Sequence, residues 1–94
     1  MQFMIVAYDG QDEGALNRRL AVRDSHIAGA IALKNAGNLI AGGAILDEAG
    51  RMIGSTTYVE FDSRADLDNW LQQDPYVTGD VWRDITITPI RLAV

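Results

Sequence analysis

The sequence predicts an α+β fold: a four-stranded antiparallel sheet with two helices on one face, in the β-α-β-β-α-β order of ferredoxin-like proteins. Three observations carry this. Four apolar runs rich in strand-forming residues occupy positions 3–8, 39–46, 51–61 and 82–92. Stretches with apolar residues at helical spacing follow the first and the third of these runs. The second and third runs are joined only by Asp47-Glu48-Ala49-Gly50, a turn that makes them an antiparallel hairpin. The chain holds no internal repeat, low-complexity stretch or linker, and its 94 residues fit one domain, 1–94.

Residues 3–8 are a continuous apolar run closed by Asp9-Gly10, which predicts a strand buried on both faces. A polar, glycine-bearing loop at 11–14 leads into Leu16, Leu20, Ile27, Ala30 and Ile31 at helical spacing. Asp24 and Ser25 are competent N-caps, so this helix is expected to break near Arg23 and restart. Gly37 is the expected residue just beyond its end. The strand at 39–46 contains Gly42-Gly43, a pair that marks a bulge or the close approach of another group. In the next strand Thr57, Val59 and Phe61 alternate with Thr56, Tyr58 and Glu60, so neither face is fully polar. Ser63, with Asp66 three residues on, opens a second helix whose Leu67, Trp70 and Leu71 form an apolar stripe. Asp74-Pro75 stops that helix and 76–80 is read as a connector to the last strand, where Ile85 and Ile87 alternate with Thr86 and Thr88.

Composition narrows the function. A net charge of −5, with the eight basic residues scattered, argues against a nucleic-acid binder and offers membrane headgroups no polybasic run. No cysteine is present, so disulfides, iron–sulfur clusters and thiolate nucleophiles are excluded. One histidine without cysteine leaves only carboxylates to complete a metal shell, so no metal is expected, and no phosphate-cradling motif or other cofactor signature occurs. No apolar run approaches the length of a membrane span, and the expected location is the cytoplasm. A chain this short with 48% hydrophobic residues is expected to bury part of that surface against a second copy of itself.

The candidate site begins on the first helix. Arg19, Arg23 and His26 are four and three residues apart and share one helical face. That face combines two permanent cations with a group that exchanges a proton near neutrality. Two readings of the arginines stay open: pairing with Asp12, Asp24 or other carboxylates on a solvated face, or gripping a substrate carboxylate or phenolate. His26 is equally open to being a satisfied helix histidine. Ser55 has no base at a recognisable spacing and is read as a hydrogen-bonding group, not a nucleophile. Trp70 and Trp82 read most simply as core or interface residues.

Several of these residues also form a pattern. Arg19-Leu20-x-Val22-Arg23-x-x-His26, Gly37 with Leu39 and Gly42, Gly54-Ser55-Thr56, Glu60-Phe61-x-Ser63, Trp70, Asp74-Pro75-Tyr76-Val77 and Pro89 stand in order along nearly the whole chain. The pattern resembles the YciI-like (YCII-related) family of small proteins that form dimeric α+β barrels. The resemblance implies a homodimer and a small-molecule pocket in which His26 faces Asp74. Beside that pair, Arg19, Arg23, Gly43, Ser55 and Tyr76 are the expected substrate-binding positions, with Tyr76 a wall beside Pro75. The family includes a dehydrochlorinase of a chlorinated hydroxyhydroquinone, and its fold is similar to that of muconolactone isomerases. The implied function is therefore cofactor-free acid–base chemistry of lyase, dehydrohalogenase or isomerase type on a small anionic aromatic or unsaturated substrate. In that scheme Asp74 orients His26 and His26 moves the proton. The alternative is a non-catalytic ligand-binding protein, or an accessory subunit of a metabolic enzyme, using the same pocket. Many relatives have Gly-Pro where this chain has Gly42-Gly43, which implies a less rigid pocket rim here.

Overall fold

Alternate residues of a strand face opposite sides of its sheet, so the first run must divide its side chains between two environments. The computed structural model, which describes residues 1–94, shows this division along β1 (Gln2–Asp9). Phe3, Ile5, Ala7 and Asp9 are buried under the helices. Met4, Val6 and Tyr8 point to the opposite face and stay partly or largely accessible, so β1 in the single chain is not buried on both faces as its composition predicts. The remaining elements are α1 (Ala15–Asn35), β2 (Leu39–Leu46), β3 (Met52–Glu60), α2 (Arg64–Leu71), α3 (Pro75–Thr78) and β4 (Trp82–Ile90). The four strands form one antiparallel sheet in the order β2-β3-β1-β4. β1 pairs with β3 from Gln2 opposite Glu60 to Tyr8 opposite Gly54, and with β4 from Gln2 opposite Ile90.

Both long helices cover the same face. Leu33 of α1 and Leu67, Trp70 and Leu71 of α2 pack with Phe3, Ile5, Val59 and Phe61. Full burial of a side chain the size of Phe3, Ile5 or Leu67 contributes about 1.5–3 kcal/mol. A second cluster of Ala7, Tyr76, Val81 and Trp82 closes the end of the sheet beneath α3.

α1 runs without interruption through Asp24 and Ser25, where a break was expected. Both side chains are exposed, so neither competes for the helix backbone, and the cap-forming residues become ordinary solvent-facing positions. The helix ends at Ala36, where Gly37 takes φ +87°. Its N–H donates to the Lys34 carbonyl and that of Asn38 to the Leu33 carbonyl, a left-handed closure that glycine adopts without strain. Ser63 caps α2, its Oγ accepting from the Asp66 N–H at 3.1 Å. The 76–80 connector is not irregular throughout: Asp74 caps the one-turn helix α3, with Pro75 in its first turn. The register shifts of β2 lie between Leu39 and Ala41 and between Ile45 and Leu46, not at the glycine pair. Gly42 instead permits close approach, since a Cβ there would lie 2.9 Å from Thr57 Cγ2.

Candidate functional site

A helix lying across a sheet leaves a wedge wherever the facing strand carries only small side chains. Gly42, Gly43 and Ala44 on β2 supply that gap opposite α1, and Leu39 lines it. A cavity of about 250 Å³ results, floored by Ser55 and Thr57 of β3 and closed by Trp70 and Tyr76. α1 contributes Arg19, Arg23, His26, Ile27, Ala30 and Leu33, the successive turns of one face. A cavity of roughly 150 Å³ holds benzene, so this one suits a single ring with small substituents.

His26 is held from three sides. Its Nδ1 lies 2.8 Å from Asp74 Oδ2, which also accepts the Tyr76 N–H at 3.0 Å. A carboxylate offers no proton, so Nδ1–H is the donor and a neutral ring keeps its lone pair on Nε2. The imidazole stacks on Tyr76 at 3.7 Å between centroids, inclined by 13°, and meets the edge of Trp82 at 5.6 Å. Asp74 is buried and does not line the cavity; it reaches it only through His26. Burial raises the Tyr76 phenol above its ordinary pKa, against the opposing pull of Arg19 and Arg23, so the phenol is neutral around neutral pH.

Arg19 pairs with neither Asp12 nor Asp24. Its Nη1 donates to both Asp9 carboxylate oxygens, at 3.0 and 3.1 Å, with each of the two side chains only 3% exposed. Its Nη2 donates to Ser55 Oγ at 2.9 Å, and its guanidinium carbon stands 4.7 Å from the centre of the Tyr76 ring. Trp82 Nε1 donates to the same Ser55 oxygen at 3.1 Å. Arg23 is exposed and forms no ion pair, which makes it the free guanidinium of the cavity. Asp12, expected as a partner on the Arg19 side, instead takes both arms of Arg18, at 2.9 and 3.1 Å.

His26, Arg19, Arg23, Gly43, Ser55 and Tyr76 thus line one cavity, with Asp74 behind His26. Several contributors escaped the sequence reading, among them Trp70, which read as core or interface. Thr57 lies two residues beyond Ser55 and so on the same strand face, a signal the alternation already carried. Asp9 read as the polar end of a strand, and Met52 as one apolar residue among many. The assembly offers a proton-accepting nitrogen, hydroxyls on the floor, an apolar enclosure and one free cation.

A family model described as the YCII-related domain matches residues 1–91. The chain belongs to the YCII-related family. Within that family it is 32% identical to the protein YciI of Escherichia coli O6:H1 over 97 residues, covering 97% of each chain. It is 35% identical to an uncharacterised protein of Haemophilus influenzae over 98 residues, again covering 97% of each. Among solved structures, the 5-chloro-2-hydroxyhydroquinone dehydrochlorinase of Burkholderia phenoliruptrix, in complex with 2,5-dihydroxybenzoquinone, is similar with a TM-score of 0.84. That likeness comes at 22% identity, over 97% of this chain and 94% of that one. A dimeric ferredoxin-like protein of unknown function from Jannaschia is similar at a TM-score of 0.52 and 14% identity, covering 97% of this chain and 98% of that one. At these identities the structural likenesses establish the ferredoxin-like fold of this YCII-related chain. No helix is long and apolar enough to cross a membrane.

Proposed function

We propose that the chain is a small-molecule enzyme in which His26 Nε2 transfers a proton to or from a single-ring substrate held in the cavity. The observation that carries this reading is the fixed imidazole: Nδ1 is committed to Asp74 at 2.8 Å and the ring is stacked on Tyr76 at 3.7 Å. A histidine on a solvated helix face needs neither constraint. Held in this way, the ring presents one nitrogen of defined protonation to the cavity, as general acid–base chemistry requires. Asp74 is then a positioning residue, Tyr76 and Trp70 supply apolar walls, and Arg23 attracts the anionic group of the substrate. The fold likeness to a dehydrochlorinase supports elimination as the reaction type. A hydroxyl proton moved by His26 to the ring carbon bearing the leaving group gives the keto tautomer. His26 then takes a second hydroxyl proton, that O–H pair becomes a C=O bond, a ring π pair shifts to form the new C=C, and the leaving group departs with the C–X pair.

The sheet face bearing Met4, Val6, Tyr8 and Tyr58 carries no helix. We assign this face to a second copy of the chain, in keeping with the similar proteins described as dimeric.

The test is chloride release from 5-chloro-2-hydroxyhydroquinone by wild type and by His26→Gln, with binding of 2,5-dihydroxybenzoquinone followed by NMR in both. Removal of a general base is expected to lower turnover about 10²–10⁴-fold while the quinone still binds. Binding by the wild type with no turnover would move the chain to the alternative, a ligand-binding protein using the same cavity.

A further inference from the structure

The floor of the cavity holds a hydroxyl whose hydrogen-bonding freedom has been used up on one side only. A serine oxygen accepts two hydrogen bonds and donates one. Ser55 Oγ receives Arg19 Nη2 at 2.9 Å and Trp82 Nε1 at 3.1 Å. Both partners are donors only, since neither a guanidinium nor an indole N–H has a lone pair to offer in return. Both acceptor positions of Ser55 are therefore filled, and its own proton can go to neither neighbour. No protein atom receives that proton, and Ser55 lines the cavity.

The surroundings set the character of the group that would receive it. Arg19 is balanced by Asp9, and His26 is accompanied by Asp74, so the inner wall has no uncompensated positive charge. The free cation, Arg23, also lines the cavity but is exposed to solvent. A carboxylate buried against Ser55 would stand beside two existing carboxylates without a cation of its own. An uncharged acceptor fits. Thr57, on the same strand face, is 8% exposed and its Oγ1 has no partner, a second unspent hydroxyl on the same floor.

Building on the reading of the cavity as a ligand site, we propose that Ser55 is a specificity-determining donor. Arg19 and Trp82 hold it in that role, and it selects ring ligands with a carbonyl or similar acceptor oxygen at the inner end of the cavity. A ligand group that can only donate finds no acceptor at Ser55 and forgoes the hydrogen bond that an acceptor oxygen makes there. The ligand's acidic group, where it has one, then lies toward Arg23, which orients the ring in the cavity.

Two probes of nearly equal shape test this: 4-hydroxyacetophenone, with a ketone oxygen, and 4-ethylphenol, with a methylene in its place. Titration of the wild-type protein, followed by NMR of the Trp70 and Tyr76 signals, is expected to show the ketone binding about 3–10-fold more tightly, the worth of one neutral hydrogen bond. Ser55→Ala should remove that preference, and the isosteric Thr57→Val should keep it. The infrared carbonyl stretch of the bound ketone should move to lower frequency in wild type and in Thr57→Val. Should Ser55→Ala fail to fold, the wild-type preference, the carbonyl shift and the Thr57→Val result still decide. Equal binding of the two probes, an unshifted carbonyl or loss of the preference in Thr57→Val would overturn the assignment to Ser55 and leave the cavity reading intact. If neither probe binds at millimolar concentration, the cavity reading fails and this assignment fails with it.

Discussion

Asp9 and Arg19 meet where water does not reach, and that location decides what each is worth. Each side chain is 3% exposed, and the carboxylate takes both its hydrogen bonds from one guanidinium nitrogen. Removing one partner leaves the other charged in a poorly solvated site, at a cost of about 3–5 kcal/mol. Asp9→Asn is therefore expected to lower the unfolding free energy by about that amount in urea melts. The double substitution Asp9→Asn with Arg19→Met should recover part of the loss, because no charge then stays buried. The sequence concealed this pair. Asp12 and Asp24 are closer to Arg19 along the chain, and Asp9-Gly10 has the appearance of a turn. The meeting of His26 with Asp74, 48 residues away, is equally non-local. Only the likeness to the YciI-like pattern placed those two together; spacing did not.

At the scale of elements, the long helix is secured at its two ends by different means. Its C-terminus is closed by backbone hydrogen bonds through Gly37, a device legible in the sequence because glycine serves that geometry best. At its N-terminus Gly14 provides no side-chain cap. Asp12 instead clamps Arg18 through both oxygens, and Arg83 stands 3.8 Å from the same carboxylate. The hydrogen bond from Arg18, foremost, holds the Asp12 carboxyl down at about 2, from an ordinary 3.8. A carboxyl with a lowered folded-state pKa stabilises the fold above its unfolded value and loses that contribution as the pH falls through the folded value. Part of the acid destabilisation between pH 3.8 and about 2 thus belongs to Asp12. Asp12→Asn should be less stable than wild type at pH 7 in urea melts, with the difference shrinking as the pH approaches 2. The hairpin and the Ser63 cap were readable for the same reason as Gly37: each is a local rule. The expected break at Asp24 and Ser25 failed because a polar residue inside a helix disrupts it only when its side chain turns back to the backbone. Sequence does not reveal which way an exposed side chain turns.

For the whole molecule, only 16 of 94 residues are buried, and Tyr8 remains 44% exposed on a sheet face without a helix. That is a thin core for a chain of 48% hydrophobic content, which the assigned second copy would complete. Light scattering at micromolar concentration is expected to return twice 10.3 kDa, and Val6→Lys, a charge at the centre of that face, should return the monomer mass. A monomeric wild type would refute the assignment. The strand order has a consequence in time as well as in space. β1 lies between β3 and β4, so Gln2 must find both Glu60 and Ile90. Helix α1 can form within about a microsecond from contacts along its own length, but β1 stays unflanked until loops spanning most of the chain have closed. Refolding should therefore show helical signal ahead of sheet, at an overall rate slower than that of a helical bundle of equal length, with a strand rich in Phe, Ile and Val exposed during the wait.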